Sequence, residues 1–181
     1  MQNNKPFFSI ILAGLPGSGK TTGAVYLKKF GWDIISAGDI IREMCCQEEL
    51  PISRKFLQGF GIKFLHEKGF EYFADIMLYR CQNSDKVVFE GIRPIQVIYL
   101  IKNTLPKVLT IYIEANIDQR IKRLQTSENI NFHELIEIDS NPLEREVLKI
   151  KPLADSIIYN DRSLNFFYNK LDKIVSSFLI S

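Results

Sequence analysis

The run Gly14-Leu15-Pro16-Gly17-Ser18-Gly19-Lys20-Thr21 constrains this chain more than any other feature. It fits the spacing Gly-x-x-x-x-Gly-Lys-[Ser/Thr], follows the apolar stretch Phe7-Phe8-Ser9-Ile10-Ile11-Leu12-Ala13, and opens a helical pattern near Thr21. A phosphate-binding loop needs that strand-then-helix context, because glycines let the backbone curl until its N–H groups face a phosphate at a helix N-terminus. Lys20 adds a point charge, and the Thr21 hydroxyl is suited to ligating Mg²⁺. The expected nucleotide-binding set is therefore Gly14, Pro16, Gly17, Ser18, Gly19, Lys20, Thr21 and the adjoining Thr22. Its ligand would be a nucleoside triphosphate.

Apolar runs and helical patterns alternate along the rest of the chain, as in an α/β domain with a mostly parallel sheet. Strands are expected at about 7–13, 32–36, 86–90, 108–114 and 156–160. A helix is expected from Thr22 to Phe30, stopped by Gly31. From Asp39 to about Asn83 several helical patterns run without a strand candidate, broken by Pro51, Gly59/Gly61 and Gly69, and read as a helical insertion. Leu164, Phe167, Leu171, Ile174 and Phe178 recur three and four apart, marking a last helix whose role is packing. With 181 residues, 46% of them hydrophobic, and no linker or repeat, one domain over 1–181 is expected.

Composition excludes some functions. A net charge of +2 leaves no stripe for nucleic acid and no basic patch for a membrane surface. No apolar stretch approaches the roughly 20 residues of a membrane span, and Met1–Pro6 is no secretory leader, so a cytoplasmic location is expected. Cys45, Cys46, Cys81, His66 and His133 lack metal-ligand spacing and read as packing or surface residues.

Two further segments carry candidate chemistry. Lys86-Val-Val-Phe-Glu90-Gly-Ile-Arg93 is a buried strand that ends in an acid, then a glycine and an arginine. An acid at such a strand end orients Mg²⁺ in phosphate-loop enzymes, commonly as Asp, so Glu90 has a metal role or is a cap or surface acid. Arg93 falls where strand ends meet the ligand crevice of an open α/β sheet, and a guanidinium there forks onto phosphate. In Ser36-Ala-Gly-Asp39-Ile-Ile-Arg42, Asp39 is expected to cap a helix, and Arg42 is delivered to the same crevice as Arg93. On the helix pattern around 118–124, Arg120 and Arg123 share one face, either as a phosphate-facing pair or as a solvated basic surface with Asp118 and Glu128 as partners.

Together, the loop at 14–21, Ser36-Ala-Gly-Asp39 with Arg42, and Glu90-Gly-Ile-Arg93 resemble the nucleoside monophosphate kinases of the adenylate kinase type. The third motif departs from theirs by being one residue shorter and by using Glu. In that form, in Gly59-Phe-Gly61-Ile-Lys-Phe-Leu65, and in Leu143-Glu-Arg-Glu146, Ala154-Asp-Ser-Ile-Ile158 and Asn160-x-x-Ser163, the chain also resembles an archaeal group of uncharacterised kinase-like proteins related to dephospho-CoA kinase.

The resemblance implies a three-layer P-loop NTPase fold with a five-stranded parallel sheet and a helical substrate-binding insertion at about 39–83. It also implies a lid-like segment at about 124–146. ATP would lie on the phosphate loop, Thr21 and Glu90 would hold Mg²⁺, and Arg42 and Arg93, with Asp39 nearby, would take the acceptor. Arg120 and Arg123 would stand at the lid entry with Arg145 on its far side, acting with Lys20 on the transferring group.

The expected activity is ATP- and Mg²⁺-dependent transfer to a nucleoside or deoxynucleoside monophosphate, by a monomer or homodimer whose only expected partner is this small nucleotide. Two alternatives stay open: a small-molecule hydroxyl kinase of the dephospho-CoA kinase type, with Asp39 accepting the hydroxyl proton, and a nucleotide-dependent binding or assembly ATPase.

Overall fold

The computed structural model describes residues 7–180, so the reading of Met1–Pro6 lies outside the described residues. Five strands form the sheet: β1 (Phe8–Ala13), β2 (Asp33–Ser36), β3 (Lys86–Glu90), β4 (Val108–Glu114) and β5 (Ser156–Tyr159). All four pairings are parallel, in the order β2-β3-β1-β4-β5. Every strand lies where its apolar run predicts it. In the interior strands the runs are continuous because both faces are covered: Ile10, Ile11 and Leu12 of β1 and Val87, Val88 and Phe89 of β3 are fully buried.

Eight helices surround the sheet among the described residues: α1 (Lys20–Lys28), α2 (Ala37–Gln47), α3 (Arg54–Arg80), α4 (Ile95–Thr104), α5 (Ile117–Glu128), α6 (Phe132–Ser140), α7 (Pro142–Leu148) and α8 (Leu164–Ile180). On one face Ile11 and Phe89 pack with Ile40 of α2, Met77 of α3, Ile101 of α4 and Val147 of α7. On the other, Ile10, Leu12 and Val88 pack with Leu27 of α1 and Phe167 and Leu171 of α8. The result is the expected three layers.

Several boundaries differ from the sequence reading, each for a local reason. Helix α1 begins at Lys20, two residues early, because left-handed Gly19 forms its N-cap. Glycines 59 and 61 do not interrupt α3, since a glycine with ordinary helical angles only weakens a helix. The insertion is broken instead around Pro51, between α2 and α3, and kinked at Gly69. Asp39 is not the cap of α2: the Ser36 side chain accepts from the Asp39 N–H at 3.2 Å, which puts Asp39 in the first turn. In α8, Leu164 is exposed, and the buried line is Phe167, Leu171 and Val175. The lid-like segment contains α6 and α7, and a small apolar cluster of Leu124, Ile130 and Leu135 packs α6 on α5.

Phe167 holds α8 and α1 together. A Cβ placed on Gly23 of α1 would lie 3.2 Å from the Phe167 ring, so the two helices approach as closely as glycine allows. Phe167→Ala is expected to cost about 3–5 kcal/mol of unfolding free energy, read from the urea midpoint. A loss below about 1 kcal/mol would mean that α8 is not part of the core.

Candidate nucleotide-binding site

Residues 14–19 link β1 to α1 at the C-terminal edge of the sheet, where an open α/β sheet binds its ligand. Glycine is obligatory at three positions there, one of them Gly17, with φ 77° and a Cβ that would lie 2.9 Å from the Arg120 carbonyl. Gly14 has φ 143°, and a side chain on it would run into the Ile113 carbonyl of β4. Gly19 has φ 112°, and its Cβ would overlap the Asn160 side-chain amide. All three positions combine a left-handed backbone with contact against a neighbour, a combination open only to glycine.

The loop is gripped from behind. Arg120 Nε donates to the Pro16 carbonyl at 2.7 Å, and Arg123 Nη1 donates to those of Gly17 and Ser18 at 3.1 and 3.3 Å. Asn160 Nδ2 donates to the Ser18 carbonyl at 2.8 Å, and Arg123 Nη2 to the Asn160 carbonyl at 2.6 Å. With three successive carbonyls turned toward these donors, the loop's N–H groups other than that of Ser18, which donates to the Leu15 carbonyl at 3.1 Å, are left for an anion. Arg120 is itself held by a two-pronged ion pair with Asp139 of α6, at 2.8 and 2.5 Å, and is only 4% exposed. The resemblance implied that Arg120 and Arg123 stand at a lid entry. In the structure their guanidinium groups lie against loop carbonyls, and that of Arg120 also reaches Asp139 of α6 in the lid-like segment. Neither Asp118 nor Glu128 partners them: Glu128 takes a two-pronged ion pair from Arg54 of α3. Arg145 is exposed on α7.

On the front of the loop, Lys20 Nζ donates to the Leu15 carbonyl at 3.1 Å. The Thr21 hydroxyl donates to Glu90 Oε2 at 3.0 Å. Glu90 ends β3, 8% exposed, in register with Leu12 of β1 and Ser36 of β2. Two oxygen ligands of the kind Mg²⁺ prefers thus converge one residue beyond the loop lysine, so the donor set fits that ion. Thr22 follows on α1 and is exposed.

Beside this site opens a cavity of about 350 Å³ between the insertion and the strand ends. Arg42, Arg54 and Arg93 line it together with Ile41, Leu57 and Phe73. Each arginine has a carboxylate partner. Arg42 pairs with Asp39, Arg54 with Glu128, and Arg93 donates Nε to Glu144 Oε1 at 2.6 Å. Glu144 is 1% exposed and also accepts from Gln58 at 3.3 Å. The structure therefore brings Arg42 and Arg93 to one cavity, beside Lys20, Thr21 and Glu90. It leaves Arg145 apart.

Sequence reasoning missed Asn160, Glu144, Arg54, Gln58 and Glu128 as site residues. Asn160 could have been found, since it immediately follows a strand end on the ligand-binding edge. The others sit at unremarkable positions on helices, where spacing alone says nothing.

Burial is the main reason that the Lys20 ammonium has its pKa lowered to about 8. The Arg93 charge acts in the same direction, and Glu144 and Glu90 oppose it. In the unfolded chain the group keeps its ordinary value of 10.5. Below pH 8 it is a cation in both states, and the folded state bears the full cost of desolvating it. Between about 8 and 10.5 the folded state releases its proton first and that cost fades. Lys20→Met is therefore expected to raise the melting temperature at pH 7, by an amount that shrinks toward pH 10. Paired thermal melts at the two pH values check this. Equal melting temperatures at pH 7 would mean that the ammonium is well hydrated.

Residues 13–132 match the family described as the AAA domain. Over its length the chain is similar to archaeal relatives. It is 29% identical over 180 residues to a UPF0200 protein of Pyrococcus abyssi, covering 94% of this chain and 96% of the relative. It is 27% identical over 176 residues to a UPF0200 protein of Methanocaldococcus jannaschii, covering 93% and 89%. Among solved structures it is similar to a gluconokinase from Sinorhizobium meliloti, at TM-score 0.61 and 12% identity, with 98% of both chains covered. It is also similar to a shikimate kinase from Acinetobacter baumannii in complex with shikimate, at TM-score 0.55 and 18% identity, covering 97% and 96%. The shared fold is that of the P-loop kinase-like proteins.

Proposed function

We propose that this chain, which belongs to the AAA domain family, transfers the γ-phosphoryl group of ATP to a nucleoside monophosphate. The observation that carries the reading is the 350 Å³ cavity, lined by Arg42, Arg54 and Arg93, that opens beside the phosphate loop. It lies within the size range of small-ligand pockets, and its lining combines an apolar wall with several guanidinium groups, as a nucleoside with an anionic end requires.

In this reading the loop amides and Lys20 hold the donor phosphates, and Arg42 and Arg93 hold the acceptor. An acceptor phosphate oxygen attacks the γ-phosphorus. The bond from that phosphorus to the β–γ bridging oxygen breaks, and its electron pair leaves with ADP. The attacking oxygen is already anionic, so no base has to remove a proton. Thr21 and Glu90 would hold Mg²⁺, which when bound neutralises charge on the β- and γ-phosphate oxygens. Arg120, Arg123 and Asn160 keep the loop's N–H groups aimed at those oxygens, which is electrostatic preorganisation.

Glu90→Gln is expected to lose most of the Mg²⁺-dependent turnover with little change in the thermal melt, since a neutral amide is a poor ligand for a hard cation. Near-wild-type turnover would remove Glu90 from the metal site.

A second reading, phosphorylation of a hydroxyl, is favoured by the charge pairing. Arg42 and Arg93 already have carboxylate partners, and the partner of Arg42, Asp39, is 61% exposed at the start of α2 and would accept the hydroxyl proton through its second oxygen. The two readings are separated by steady-state kinetics. Because Arg93→Ala alone would strand buried Glu144 without its cation, the comparison is Arg93→Ala/Glu144→Gln against Glu144→Gln. Removing the guanidinium is expected to raise the acceptor KM roughly ten- to a hundredfold with ATP KM unchanged. Asp39→Asn is expected to leave kcat within a few-fold of wild type. A collapse of kcat in Asp39→Asn, by about 10²–10⁴, with acceptor KM indifferent to Arg93, would instead assign a hydroxyl acceptor.

A further inference from the structure

Gly61 lies inside α3, in the uninterrupted run before the Gly69 kink, and it lines the cavity beside the phosphate loop. A glycine in a helix interior usually has one of two reasons: a backbone angle closed to other residues, or a neighbour too close for a Cβ. Neither applies here. Gly61 is not among the residues with positive φ, and a Cβ built on it would meet nothing within 4 Å. The residue is nevertheless buried. A buried position with open space in front of it faces a void, and the void it lines is the cavity.

The same cavity lining holds Leu57, Leu65 and Phe73, with Arg42 and Arg93 as the cationic groups. A bare stretch of helix backbone among apolar side chains is a surface on which a flat ring can lie, while the guanidinium groups take an anionic end. Gly59, two residues earlier, provides an internal control: it is also unhindered, but it is exposed and does not line the cavity.

We infer that Gly61 is a specificity-determining residue, whose missing side chain makes room for the planar base of a mononucleotide acceptor. This rests on the transfer reading above for the identity of the acceptor, and it adds the position that sets the size of ring admitted.

The test uses the full chain as wild type, Gly61→Val, Gly61→Ala and Gly59→Ala. Thermal melts are recorded. Calorimetric titrations are run with AMP, GMP, CMP and UMP separately and with ATP, and phosphoryl transfer to each monophosphate is assayed in parallel. Replacing a helical glycine should raise the melting temperature by about 2–4 °C at either position. Gly61→Val should at the same time weaken binding of the monophosphates that wild type binds by roughly 10–200-fold, the range for one misplaced alkyl group in a pocket. ATP affinity should not change. Gly61→Ala should follow in the same direction with a smaller loss, and Gly59→Ala should gain stability with binding intact.

A more stable protein that binds its acceptor less well cannot be explained by misfolding. Wild-type monophosphate binding in Gly61→Val, an equal loss for ATP, loss of the fold in Gly61→Val, or no binding of any of the four monophosphates by wild type would each overturn the inference. Monophosphate binding that obeys the Gly61 pattern without any transfer would overturn the transfer reading alone. Transfer with an acceptor KM indifferent to Gly61→Val would do the reverse.

Discussion

The site depends on three carbonyls being held from behind. A peptide chain that curls tightly enough to point several N–H groups at one anion must point its carbonyls the other way, and those carbonyls need donors. Here Arg120 takes Pro16, Arg123 takes Gly17 and Ser18, and Asn160 takes Ser18 again. Those donors come from α5, which follows β4 in the chain, and from the end of β5, which pairs with β4 in the sheet. Tight packing on the back of the loop explains part of its glycine content independently of any ligand. Gly19 is obliged by Asn160, and a Cβ on Gly17 would lie 2.9 Å from the Arg120 carbonyl.

This arrangement couples distant parts of the chain. The Arg120–Asp139 ion pair ties the loop to α6, and the Arg93–Glu144 pair ties the cavity to α7. The segment beyond α5 is thus bonded to both the donor loop and the cavity through two largely buried guanidinium groups. Breaking either pair would leave a charge without its partner at low accessibility, where such a loss is costly. Apart from Arg145, the arginines that the resemblance assigned to phosphate are paired here with carboxylate or carbonyl groups of the protein. Whether one also meets a ligand depends on exchange of its carboxylate or carbonyl partner.

Much of the fold was legible because its signals are local. The apolar runs at 8–13, 86–90 and 108–114 are long enough to mark strands buried on both faces, and they fell within a residue of their observed ends. The break at Gly69 was legible because that residue takes a positive φ. Gly59 and Gly61 were misread as breaks because glycine permits a break without requiring one, and both keep ordinary helical angles inside α3. Asp39 was misread as a cap because Ser36, three residues earlier, is an equally good one, and the choice depends on where β2 ends.

By itself the sequence determined the phosphate loop, the order of strands and helices, and the arrival of Glu90, Arg42 and Arg93 at the same edge of the sheet. These follow from spacing along the chain: a loop motif between a strand and a helix, and residues placed just beyond strand ends, fall on that edge in any parallel sheet. Tertiary structure alone decided what each charged group touches. That Arg120 meets Pro16 across 104 positions, that Glu144 meets Arg93 across 51, and that Asn160 reaches Ser18 across 142 depends on how helices pack over the sheet. Hydrogen bonds and ion pairs are set by angstrom-scale distance and direction, and no periodicity in the chain encodes them.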